Sequence, residues 1–402
     1  MEISLSEKLQ DVHVNEKWGQ GVFIDGLAEY IRQFLKCAFE EAIKLELQEM
    51  LGRKPYQRSG STENYRNGSY ERDLETRFGV VENINVARDR NGEFYPKVLE
   101  RYQRREDKID QRIIELFIGG ISTRKMKNIT RDLFGKGYSS STVSKINKKL
   151  TEEMRAWMEA PIEDNIKYIY LDGLNLPVKR FAVSKESLLM AIGITTEGYR
   201  VILAVQLGDR ESASSWMEFL KDLKNRGLKG EHLELGIMDG LTGLEKVFME
   251  CFPKAKTQRC VVHKLRNIAA KLPRKIQKDC LDHVKRVFYA DSYDEALERF
   301  NDWKNYWEKI APGAVQCLEK DLSSVLQFYH FPKHHWKIIR TTNIIERTFK
   351  EFRRRTRQMD SLPNEDCCLR CVYAISSNLN ESWLSRRVDG FSPRRKENAG
   401  VA

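Results

Sequence analysis

No stretch of the 402-residue chain stays apolar for the roughly 18–20 residues that a membrane span requires. The acidic, amphipathic opening MEISLSEKLQ also lacks the charged-then-apolar layout of a signal peptide. Both absences argue against membrane and secreted classes, and an intracellular protein is expected. Cysteine is sparse and unevenly spaced, eight in all, which offers no disulfide framework and fits a reducing compartment. Proline- or glycine-rich and repetitive tracts are missing, so an ordered chain is expected nearly throughout. Acid is in deficit: 69 Lys and Arg face 58 Asp and Glu, a net +11. Such an excess favours a polyanionic partner through counterion release, but many basic proteins bind no nucleic acid, so clustering of charge is the informative feature.

The length suggests two or three domains. From Gly21 to Gly52, apolar residues recur at helical spacing (Phe23, Leu27, Ile31, Leu35, Phe39, Ile43), predicting one long amphipathic helix or two joined ones. The polar stretch KPYQRSGSTENYRNGSYERD follows, with a turn signal at Asn67-Gly68. Two β-branched runs around Asp89-Arg90-Asn91-Gly92 then predict a hairpin turning there. Together these form an N-terminal region, residues 1–104.

Residues 105–160 read as helices. Around ISTRKMKNITRDLFG, GKGYS and SSSTVSKINKKL, with Ser122 and Ser139 or Ser140 as N-caps, the layout is that of a helix-turn-helix. Arg124, Ser141, Thr142, Lys145 and Lys148 are then candidate DNA contacts. A plain helical hairpin with solvated lysines explains the same pattern equally well.

From Ile166 the texture turns to strands. IKYIYLDG reads as a buried strand ending in Asp172, followed by two strands joined at Thr196-Glu197-Gly198 and a helix over Ser212 to Arg226. LELGIMDG is another strand ending in Asp239, then come a helix and the short strand AKTQRCVVH. Everything from Lys264 to Trp383 looks helical. This is an α/β succession around a mixed five-stranded sheet, the ribonuclease H-like order, in which the first and fourth strands lie side by side and bring the two aspartates together.

Two aspartates on rigid strand ends can hold Mg²⁺ or Mn²⁺, which prefer hard oxygen ligands. Glu346 in RTTNIIERTFKEFRRRTR is the candidate third carboxylate, in the first turns of a helix capped by Thr341, Thr342 or Asn343. Two metals would serve in-line phosphoryl transfer without a covalent intermediate. Arg340, Lys350, Arg353, Arg354, Arg355 and Arg357 would offer a basic face to phosphates. Taken singly, each feature has an ordinary explanation: an aspartate after a strand is usually a turn former, a first-turn glutamate a dipole stabiliser, an arginine run a solvated face. Their joint occurrence in this order is what points to chemistry.

At these residues the sequence resembles the Mutator-type bacterial insertion-sequence transposases. The resemblance rests on GGISTRKMKNITRDLFG, YLDGLNLPVKR, GIMDGLTGLEKVF, QRCVVHKLRNI and TTNIIERTFKEFRRRTR, and extends from about Asn64 to Ala374. It implies an Asp-Asp-Glu triad at Asp172, Asp239 and Glu346 holding two Mg²⁺ or Mn²⁺, and a Cys-x-x-His element at Cys260 and His263. It further implies a catalytic core over 161–263 and 338–402 with 264–337 as an all-α insertion, binding of the terminal inverted repeats by the segment before Asp172, action on target DNA, a homodimer or higher assembly on paired ends, and a bacterial cytoplasmic setting. Cys260 and His263 also invite a zinc reading, but two ligands are half a site. Two other classes fit parts of the sequence. A ribonuclease H-like nuclease or junction resolvase would share the metals without strand transfer; a DNA-binding regulator would use the helix-turn-helix alone.

Overall fold

The computed structural model describes residues 20–57, 64–119, 121–179, 183–208, 212–357, 362 and 364–391. The opening MEISLSEKLQ, part of the polar stretch after Lys54 and the side chains of Phe23 and Arg124 lie outside the described residues. The chain divides into two compact units, residues 1–148 and 149–402.

In the first unit the predicted long helix forms as one, α1 (Gln20–Leu51). Its Ile43 packs against Leu74, Val81, Ile84 and Val86 of a two-stranded antiparallel ribbon, β1 (Arg66–Thr76) and β2 (Gly79–Asp89). The hairpin turns at Arg77-Phe78, not at Asp89–Gly92. Thr76 Oγ1 donates to the Gly79 carbonyl at 2.7 Å, and Gly79 takes φ +108, which a side chain rarely adopts. Asp89 instead ends β2, where its carboxylate accepts from Asn64 and from the amides of Glu93 and Phe94. Asn67-Gly68 is no turn either: it falls at a register shift between Arg66 and Ser69, a bulge inside β1. Three packed helices follow: α2 (Asp107–Ile118), α3 (Thr123–Phe134), capped by Ser122, and α4 (Ser140–Asn147), capped by Ser139.

The second unit opens with α5 (Leu150–Glu159). Its sheet contains β3 (Ile166–Lys179), β4 (Val183–Thr195), β5 (Arg200–Gly208), β6 (Leu235–Met238) and β7 (Lys256–Arg259), in the order β5-β4-β3-β6-β7. β3, β4 and β5 pair antiparallel, whereas β3 to β6 and β6 to β7 are parallel, so the sheet is mixed and its first and fourth strands are neighbours as expected. β3 does not end at Asp172. Leu174, Leu176 and Val178 continue the period-two burial to Lys179, paired with β4 throughout. The helices α6 (Ala213–Asn225) and α7 (Thr242–Cys251) bury Trp216, Phe219, Leu220 and Phe248 with Ile169, Leu171 and Leu189 of the sheet.

After β7 the described chain is helical up to the residue before the carboxylate-bearing helix. It comprises α8 (Val261–Ala269), α9 (Arg274–Lys285), α10 (Tyr293–Trp307), α11 (Pro312–Glu319), α12 (Leu322–Val325) and α13 (Trp336–Ile339), with short 3₁₀ turns between. Two longer helices close the unit, α14 (Asn343–Thr356) and α15 (Glu365–Leu384), and both touch β3. Among the described residues no helix is long and apolar enough to cross a membrane.

Candidate active site

The parallel ladder sets the geometry. Tyr170 of β3 pairs with Ile237 of β6, so two residues further along each strand Asp172 and Asp239 stand level on neighbouring backbones. Asp172 is fixed within a strand that continues past it, and its Oδ1 accepts from the Gly173 amide at 2.9 Å. Asp239 follows the last residue of β6, where Oδ1 accepts from the Leu241 amide at 2.9 Å and closes an Asx turn. Gly240, next to it, has φ +94, and a Cβ there would lie 3.2 Å from the Arg259 side chain. That arginine is itself immobilised by Glu245 (2.6 Å) and Asp321 (2.9 Å).

The third carboxylate arrives through a relay of named contacts. Cys260 follows β7, and its amide donates to the Met238 carbonyl at 2.8 Å. Its buried Sγ accepts from both the amide and the hydroxyl of Thr342, each at 3.2 Å. Thr342 occupies the N-cap position of α14 and its carbonyl accepts from the Glu346 amide at 3.0 Å. Its side chain makes no capping bond, contrary to the sequence expectation, and its hydroxyl donates to the thiol instead. Neither Thr341 nor Asn343 takes the capping position: Asn343 is already the first helical residue. Glu346 Oε1 then accepts from Arg266 Nη1 at 3.1 Å and lies 3.5 Å from His263 Nε2.

His263 lies against Glu346, within reach of the charges of Asp172 and Asp239. Its hydrogen bond with Cys260 raises its pKa above the ordinary imidazole value, and the charges of Cys260, Asp172 and Asp239 add to this against the opposing effect of burial. For Cys260, burial alone would push the thiol up, but hydrogen bonds from His263 and Thr342 outweigh it and hold it below the usual thiol range. The bonds to Thr342 give Cys260 an occupation other than zinc. Cys251 lies elsewhere, against Met217, and Cys367, Cys368 and Cys371 are buried along α15.

The donor chemistry suits a hard divalent cation at the paired aspartates. Among the described residues, however, no three Asp, Glu, His or Cys side chains already converge as a metal-binding group. Glu346 is engaged with Arg266 and His263 through the same oxygen, Oε1.

The basic residues divide by helix face. At 100° per residue, Lys350, Arg353 and Arg357 fall within about 40° of Glu346, and all three are exposed. Arg354 flanks this stripe and bonds Glu351 at 2.9 Å. Arg355 points to the opposite side, half-buried and tied to Glu351 at 2.6 Å. Arg340 is engaged by the protein: it donates to the Phe288 carbonyl at 3.2 Å and lies 4.2 Å from the Tyr289 ring centroid. In the first unit Ser141, Lys145 and Lys148 are exposed on or just after α4, Thr142 is half-buried beside the capping Ser139, and Arg124 lies on α3. Sequence reasoning missed Arg266. Its one signal was its place three residues after His263, which puts both on one face of α8.

Fold and site together define a mixed α/β protein with two aspartates level on adjacent parallel strands, one inside β3 and one just after β6. A model of the transposase Mutator family matches residues 8–386, and the chain belongs to that family. It is 38% identical over 361 residues to the transposase for insertion sequence element ISRM5 of Rhizobium meliloti, covering 90% of this chain and 89% of that one. It is 35% identical over 368 residues to the transposase for element IS905 of Lactococcus lactis, covering 90% and 92%. Identity is 32% over 366 residues to the transposase for element IS256 in transposon Tn4001 of Staphylococcus aureus, covering 90% and 93%.

Proposed function

We propose that this chain is the transposase of an insertion sequence, cutting DNA at the element's terminal inverted repeats and joining the freed ends to target DNA. The observation that carries the reading is the level placement of Asp172 and Asp239 on neighbouring strands, with Glu346 held at His263, which feels the charge of both aspartates. On this reading the mixed sheet is a ribonuclease H-like core built from 161–263 and 338–402, and 264–337 is an all-α insertion that delivers Glu346 from the far side of the sequence.

Asp172, Asp239 and Glu346 would hold two Mg²⁺ or Mn²⁺, which supply Lewis acidity to both the attacking and the leaving oxygen of an in-line displacement. The chain's own groups do the rest. Lys350, Arg353 and Arg357 line the face that Glu346 shares and bind phosphates of the cleaved strand. His263 and Arg266 hold the Glu346 carboxylate in its waiting position. The 105–160 segment, with Ser141, Thr142, Lys145 and Lys148, reads the inverted repeat as a helix-turn-helix, and residues 1–104 extend that contact. Two or more copies act on paired ends.

The test is strand cleavage and joining on labelled DNA carrying the element's own ends, with and without Mg²⁺ or Mn²⁺. Metal-dependent joined products are expected. Cleavage without joining would favour a ribonuclease H-like nuclease, and binding without either reaction would leave a DNA-binding regulator.

A further inference from the structure

The first unit carries a feature that neither the helix-turn-helix nor the acidic site uses. After β2 the chain returns along β1 to the bridge between Glu75 and Arg105, and the Arg72 guanidinium clamps it by donating to the Glu100 and Gln103 carbonyls. Ribbon and returning segment enclose a cleft of about 700 Å³. Its acids are occupied by the fold: Asp89 by Asn64 and two amides, Glu75 by Lys136 and Tyr138, Asp73 by the Asn83 amide. Three of its tyrosines stay open to solvent. Tyr70 is 41% exposed, Tyr95 51% and Tyr102 80%.

These rings are interleaved with cations. The Arg101 guanidinium lies 4.7 Å from the Tyr95 centroid and 5.1 Å from that of Tyr102, and Arg88 lies 5.2 Å from Tyr70. Tyr102 is held at φ +64, a backbone state that a bulky residue adopts only at a cost, and there its ring projects into solvent. A strained, exposed aromatic at a cleft lined with guanidinium groups is arranged for a ligand with flat π surfaces and negative charge.

We infer that this cleft binds unpaired DNA bases, which stack on Tyr95 and Tyr102 while Arg88, Arg101 and Arg104 meet the flanking phosphates. Within a duplex the base faces are covered by their neighbours in the stack, so a tyrosine platform gains only from bases that have left it. Bases at a broken strand end leave the stack more readily than those inside an unbroken duplex, and to that extent the inference rests on the DNA-cleaving function proposed above.

The experiment uses the full chain without divalent metal, so that nothing is cut, and measures anisotropy of three labelled DNAs. These are a fully paired duplex, the same duplex interrupted by a short unpaired bubble, and its single strand. The double variant Tyr95→Ala/Tyr102→Gly removes both rings while glycine keeps the φ +64 backbone free of strain. It should weaken bubble and single-strand binding about tenfold or more and leave the duplex within about twofold, since stacking acts only on free bases. Tyr95→Phe/Tyr102→Phe should bind as the parent does, and Arg101→Ala should lose part of the bubble preference with both rings intact. Equal losses on all three DNAs, no loss, or a phenylalanine pair as weak as the ring-deleted one would overturn the inference. A parent chain that binds none of the three would overturn the DNA-cleaving function as well.

Discussion

At the scale of single residues, the thiol of Cys260 illustrates how a buried group decides the position of an exposed one. Thr342 is wholly buried and both of its donors end on Cys260 Sγ. Cys260→Ala leaves the amide and hydroxyl without an acceptor and is expected to cost about 1–3 kcal/mol in urea unfolding, whereas Cys260→Ser keeps an acceptor and should recover most of it. Equal losses in the two variants would contradict this role. His335 gives a pH signature. Burial, reinforced by the neighbouring charges of His334 and Lys167, holds its imidazole down at about 4. A depressed folded-state value means that the stability is present above the ordinary imidazole range near 6.5 and is lost as pH falls from there towards 4, with a slope approaching ~1.4 kcal/mol per pH unit. In His335→Phe that part of the slope should disappear, whatever the absolute stability. The neighbouring placement of Asp172 and Asp239 and the first-turn position of Glu346 were legible in the sequence, because strand texture or a helix start marks each of them. The engagement of Glu346 by Arg266 was not, since it depends on which faces of α8 and α14 meet.

At the scale of elements, α14 sorts its own charges. Lys350, Arg353 and Arg357 share the Glu346 face and should each lower DNA affinity when replaced by alanine, flattening the salt dependence by about one unit of slope per charge. Arg355→Ala should change that slope little, because its guanidinium is spent on Glu351 on the opposite side. A uniform effect of all four would show that the helix face does not matter. The loop after β6 makes a second case. Gly240→Ala meets φ +94 and the immobilised Arg259 together, so a loss of about 1–3 kcal/mol is expected, with cleavage falling further than stability because Asp239 adjoins the strain. Here the sequence was informative in part. The long α1, the two serine-capped helices and the strand order followed from periodicity and caps. The hairpin turn was misplaced because an Asn-Gly pair and an Asp-Arg-Asn-Gly run look like turns, while the real turn, Arg77-Phe78, is fixed by a hydroxyl bond from Thr76. The end of β3 was misplaced because Asp172 and Gly173 interrupt an alternation that Leu174, Leu176 and Val178 resume.

At the scale of the molecule, two compact units divide at Lys148, within the 105–160 stretch that sequence texture treats as one segment. Membership of the Mutator family extends across both, which makes the chain a transposase by descent. The central claim is that Asp172, Asp239 and Glu346 act as one unit. It is tested most directly by strand joining, quantified for Asp172→Asn, Asp239→Asn, Glu346→Gln and the triple variant, each checked for retained DNA binding. Residues that work as a unit fail together, so every single variant should fall to the same background as the triple one. Joining near the parental level in any one of the three, with binding intact, would contradict the account.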